Sequence, residues 1–172
     1  MHELPYSHKV RLADVPDGGL TLHLSPSPDA RAALARHVGV PDILDMSIDA
    51  QIIPRGEGAR VIGRLKARVR VTSVVSLESF EDHVDEEFCV EFDPQDVIEA
   101  SSEALEEGAE PLHDPADALI DGVLDLGALA SEFLSLGLDP YPRRPGEVFE
   151  TYQEGADELS AFAALAQLKK KT

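Results

Sequence analysis

The chain has no tryptophan, one cysteine and few aromatic residues, and each shortage excludes something. Aromatic residues make up 5% of it against 43% apolar residues in all, so the core is expected to be aliphatic. A lone Cys89 rules out an internal disulfide framework. No apolar run approaches the roughly 18 residues that span a bilayer. The opening MHELPYSHKVRL has no apolar core of the signal-peptide kind. These readings favour a cytoplasmic protein without a membrane partner. At 172 residues, the chain is read as one domain over 1–172, large enough for a real core.

Cations are also missing, over a long span. The formal net charge is -18, and no Lys or Arg occurs from 71 to 142. That stretch holds 19 Asp and Glu between Glu78 and Glu132. Residues 1–72 carry 10 Lys and Arg against 8 Asp and Glu. An uneven division of this kind suggests an electrostatic partner, the plainer alternative being a solvated acidic loop.

Periodicity predicts strands over 7–12 and 20–24, with Pro16 to Gly19 as turn chemistry between them. A helix follows, capped by Ser27, with Pro28 at its first position and Gly39 ending it. Strands are expected over 43–53, over 60–77 as one long or bent unit, and over 81–92. From 93 to 122 the pattern fails, and the segment reads as an acidic mobile loop with room for a short helix near 95–106. A helix is expected from Asp125 to before Pro140, and a capped amphipathic helix from Ser160 to the terminal lysines. The fold class is α+β: a mainly antiparallel, twisted or barrel-like sheet, a short helix after the N-terminal strands and a C-terminal helical part.

The common catalytic signatures are absent: no GxSxG, Gly-rich phosphate loop, HExxH or CxxC occurs. His83 and Cys89 could share a strand face but make a poor metal set. No enzyme activity, cofactor or metal is therefore expected, and a nuclease or modifying enzyme is the least supported reading. The one concentrated feature is GRLKARVRV. Arg64, Lys66, Arg68 and Arg70 alternate with Leu65, Ala67, Val69 and Val71, so the four cations share one strand face. They read as a cationic edge for RNA phosphates, which Arg143 and Arg144 would extend. Alternatively they form a cross-strand ladder with Asp85, Glu87 and Glu91, which the spacing favours. Glu99, Glu103, Glu106, Glu107 and Glu110 form a candidate acidic surface for a protein partner.

VTSVVSLESF, followed by the acidic strand VDEEFCVEFDP, resembles the YceD-like family of large ribosomal RNA subunit accumulation proteins. In that family a strand ends in a Cys-x-x-Cys-Leu-like motif followed by a turn containing Phe. Here Ser73 and Ser76 fall on the cysteine positions, and Leu77 and Phe80 on the Leu and Phe. VLDLGALASEFLSLGLDPYP resembles a later family segment, with Asp125 and Leu126 at its start and Leu134, Leu136, Leu138 and Pro142 toward its end. FAALAQLKKK, Phe162 to Lys171, resembles the family's closing phrase. The likeness runs from about residue 5 to 171 as an ordered set of loose motifs. It implies a role in large-subunit ribosomal RNA synthesis, processing or stability. The implied partner is a basic ribosomal protein or a large-subunit assembly intermediate, with direct rRNA contact as the alternative. Serine at both cysteine positions removes any thiolate or disulfide chemistry, and those family cysteines read as small buried strand residues. Oligomeric state is left open, because an exposed sheet edge can pair with another copy.

Overall fold

The structure, a computed structural model, describes residues 5–95, 97–98 and 116–147. Strand β1 (Lys9–Arg11) leads through a 3-10 turn into β2 (Leu20–Leu24) and helix α1 (Pro28–Val38). Three long strands follow: β3 (Asp42–Arg55), β4 (Gly58–Thr72) and β5 (Ser79–Pro94). Two short strands, β6 (Asp117–Leu119) and β7 (Val123–Asp125), precede helix α2 (Leu126–Gly137). The main sheet runs β2-β3-β4-β5-β6, antiparallel except for the parallel β5–β6 pair. Strands β1 and β7 form a separate antiparallel pair. The fold is thus α+β, as the sequence predicts.

Alternation makes the sheet one-sided. Leu65, Ala67, Val69 and Val71 of β4 are buried, beside Met46, Ile48, Ala50 and Ile52 of β3 and Val84 and Phe88 of β5. Both helices pack on this face and touch each other. Leu34 of α1 and Leu126, Leu129 and Leu134 of α2 complete an aliphatic core. The other face of β3–β5 carries the charges.

Local chemistry places the helices. The Ser27 hydroxyl accepts the Ala30 N–H at 3.2 Å, Pro28 opens α1, and Gly39 closes it at φ +78°. Arg31 then ties α1 to the sheet by donating to the Ile43 carbonyl at 3.2 Å. Asp125 caps α2 by accepting from Gly127 N–H at 3.0 Å and Ala128 N–H at 3.2 Å. The same carboxylate accepts the Ser7 hydroxyl at 2.6 Å and the His8 N–H at 2.9 Å, so it also anchors the N-terminal segment. Gly127 permits this approach, because a Cβ there would lie 2.6 Å from Ser7 Cα.

Two expectations are corrected. The strand predicted over 60–77 ends at Thr72, because Ser73 N–H bonds the Glu78 carbonyl and Leu77 N–H bonds the Ser73 carbonyl, closing a turn. The segment 93–122 is not a loop throughout. Asp93 and Pro94 complete β5 and Asp117–Leu119 forms β6 beside β5, while the helical residues 95, 97 and 98 fall where the sequence leaves room for a short helix. The remainder of that segment and the expected helix from Ser160 lie outside the described residues.

Candidate functional site

The four cations do share one face, but not at an edge. Strand β4 is the middle of five, so the predicted cationic edge is corrected to a cationic row flanked on both sides. Toward β5, Arg64 stands opposite Glu87, Lys66 opposite Asp85, Arg68 opposite His83 and Arg70 opposite Glu81. Toward β3, Arg64 faces Asp49, Lys66 faces Ser47, Arg68 faces Asp45 and Arg70 faces Asp42. The Arg64 fork binds Asp85 diagonally, with Nη2 2.8 Å from Oδ2, and Nη1 reaches Glu87 at 3.2 Å. Arg68 reaches Glu81 at 3.6 Å, and Arg60 pairs with Glu91. At the far side His23 of β2 bonds Asp49 at 2.7 Å.

This is the cross-strand ladder, with Asp85, Glu87 and Glu91 in the expected places and Glu81 and three β3 aspartates added. The hydrogen bond from Arg64 holds the Asp85 carboxyl below its usual range. Five cations of β4 thus stand among seven carboxylates of its two neighbours. Exposed pairs of this kind contribute little to stability, but they cancel the field a polyanion would need. Among the described residues, Lys66, Arg70 and Arg143 form no ion pair. His83 and Cys89 lie on this same exposed face of β5, six positions and so about 20 Å apart, too far for a shared ion.

Arg144 sits beyond the Arg70 end of the row. Its guanidinium reaches Glu78 at 2.9 Å and the Ser79 carbonyl at 3.3 Å. Nearby, Ser73 and Ser76 each donate a hydrogen bond to a different oxygen of Glu147. The Arg144 N–H reaches the same carboxylate at 3.2 Å, and the Val74 N–H bonds the Pro142 carbonyl at 2.9 Å. The Ser73 and Ser76 hydroxyls are the leading reason the Glu147 carboxyl is held below its usual range. The Ser73 and Ser76 pair therefore clasps a carboxylate and pins the 142–147 link to the turn. Ser73 is buried and Ser76 exposed, and both follow the last residue of β4.

Glu99, Glu103, Glu106, Glu107 and Glu110 lie outside the described residues. The described part of the cation-free span contains a feature the sequence reading missed. A cleft of about 460 Å³ lies between β6, β7, the start of α2 and Phe92. Its lining includes Asp117, Asp121 and Glu132. Asp121 and Gly122 form a two-residue turn with φ values of +54° and +67°, closed by Val123 N–H to the Ile120 carbonyl at 3.0 Å. These are the signs of a type I′ hairpin turn, and the Asp-Gly pair between apolar residues was its signal.

No family model, curated protein or solved structure matches the chain. No helix among the described residues is long and apolar enough to cross a membrane.

Proposed function

We propose that the protein is a non-catalytic factor supporting large-subunit ribosomal RNA accumulation and ribosome assembly. In this reading it binds a basic ribosomal protein or assembly intermediate. The observation that carries the choice of partner is the charge pattern around β4. The one concentrated cationic row is matched by carboxylates on both flanks, while the span from 71 to 142 has acids and no Lys or Arg. An acidic surface attracts a basic protein over long range and can occupy the groups that later meet rRNA phosphates. The large-subunit context rests on the resemblance to the YceD-like family.

Direct rRNA binding is the second reading, and a specific observation favours it: Lys66, Arg70 and Arg143 form no ion pair among the described residues. Ultraviolet crosslinking of the tagged protein in growing cells, with sequencing of bound RNA and mass spectrometry of co-purified proteins, separates the two. The expected result is a basic large-subunit protein recovered at low salt and released at high salt, without crosslinks through 64–70. Crosslinks of large-subunit rRNA to that strand, lost in a folded Arg64→Glu/Lys66→Glu variant, would replace the first reading with the second.

A further inference from the structure

We infer that the cleft beside the Asp121–Gly122 turn is the docking site for a lysine- and arginine-rich protein segment, which seats one apolar side chain in the cleft and sets its cations against the rim. This rests on the proposed binding of a basic protein and names where it occurs. The volume of about 460 Å³ lies in the range of ordinary ligand pockets. Phe92, Val123 and Leu129 supply apolar wall. Ile120 stands at the rim with 63% of its surface exposed, although it follows the buried Leu119. An exposed isoleucine beside a concave apolar wall is surface that a partner covers.

The rim selects the occupant by charge. Asp117, Asp121 and Glu132 are exposed, and their carboxylates form no ion pair or hydrogen bond among the described residues. Lys9 is the one cation among the described residues of the lining. Asp125 also lines the cleft, but its carboxylate is already occupied by Ser7, His8, Gly127 and Ala128. A nucleic acid would meet repulsion here, and a neutral apolar ligand would leave the rim carboxylates without partners as it displaced their water. A cationic segment with one apolar residue satisfies wall and rim together.

The test titrates the full-length protein at low salt with two labelled synthetic peptides, read by fluorescence anisotropy. One peptide carries a single leucine between runs of lysine and arginine. The other replaces that leucine with serine. Acid-extracted large-subunit ribosomal proteins are the second probe. The variants are Ile120→Ser and the triple Asp117→Asn/Asp121→Asn/Glu132→Gln, all at exposed positions, with asparagine able to keep the positive φ at 121. The leucine peptide should bind about 10-fold tighter than the serine peptide, and Ile120→Ser should erase that preference. The triple variant should bind about 10-fold more weakly, with a flatter salt dependence.

Equal binding by wild type and both variants would overturn the cleft as the site and leave the basic-partner reading standing. Failure of wild type to bind either probe would remove both. Tighter peptide binding by Lys169→Gln/Lys170→Gln/Lys171→Gln would give the cleft to the chain's own C-terminal segment and overturn the proposal. Self-association abolished by Ile120→Ser would give it to a second copy, with the same consequence.

Discussion

On the open face of β3–β5, cations and carboxylates alternate across three strands, and Arg60, Arg64 and Arg68 are held by carboxylates of β5. Around the β6–β7 turn and the first turns of α2, Asp117, Asp121 and Glu132 stand with Lys9 as the only cation among the described lining residues. Both regions are rich in acid, yet their fields differ. Where each cation has acids across the ladder, the potentials cancel within a Debye length, and the charges act chiefly on strand pairing. Where carboxylates stand without cations, the field extends outward and the fold gains nothing from them. The acidic excess of this chain is therefore not one property. Part of it is internal balance, and part is left for something outside.

The two regions meet where β6 pairs with β5 and where α2 packs on the sheet, and disturbing the second contact should produce the largest effect. Phe88 of β5 lies over Gly63 of β4 and stacks on Phe133 of α2, with ring centroids 4.9 Å apart. A Cβ on Gly63 would lie 2.4 Å from Phe88 Cζ and 2.5 Å from the Asp49 carbonyl oxygen. Gly63→Val should cost about 3 kcal/mol in chemical denaturation, because the ring and the β3 backbone must both move. A cost below about 1 kcal/mol would mean that the Phe88 ring and the β3 backbone give way without loss of packing.

Asp125→Ala comes next, at about 2 kcal/mol, since it removes the α2 cap and the anchor of Ser7 and His8 together. Asp125→Asn should cost less, because asparagine also caps. Burial pushes the Asp125 carboxyl up, but the bonds from Ser7, His8, Ala128 and Gly127 together outweigh it and leave the group below its usual range. A carboxyl lowered in the folded state stabilises above its unfolded pKa, near 4, and that contribution disappears as pH falls through the folded value. Wild-type stability should therefore drop in acid below about pH 4, and the drop should be shallower in Asp125→Asn. Equal acid profiles would show that Asp125 does not carry the linkage.

Much of this arrangement was legible in the sequence wherever the signal was local. The Ser27, Pro28 and Gly39 punctuation gives α1 its observed ends, and the alternation from Leu65 to Val71 gives β4 its buried face. Three residues make each of β6 and β7, too few for periodicity to register, so the Asp121–Gly122 turn was the only cue to the cleft. The position of β4 within the sheet was not legible, because pairing joins residues far apart in sequence. Acids of β5 were visible as ladder partners, whereas Asp42, Asp45 and Asp49 of β3 became neighbours only through the fold. With β3 omitted, the cationic row looks like an edge open to phosphates. With β3 in place, it is the centre of a balanced face.

The smallest expected effect sharpens the comparison most. Lys66 stands between Asp85 and Ser47 and forms no ion pair among the described residues. Lys66→Gln should change stability by no more than about 0.5 kcal/mol, as a substitution on an exposed strand face without a bonded partner. Its informative readout is rRNA retention beside stability. Unchanged stability with unchanged crosslinking fits a face whose charges answer one another. Unchanged stability with lost rRNA crosslinks would mean that a lysine not needed by the ladder is used by RNA, and the balanced face would become the binding face. A loss above about 1.5 kcal/mol would show that Lys66 holds apart the repulsion of Asp85 and its acidic neighbours, placing it in the ladder despite its lack of a direct contact.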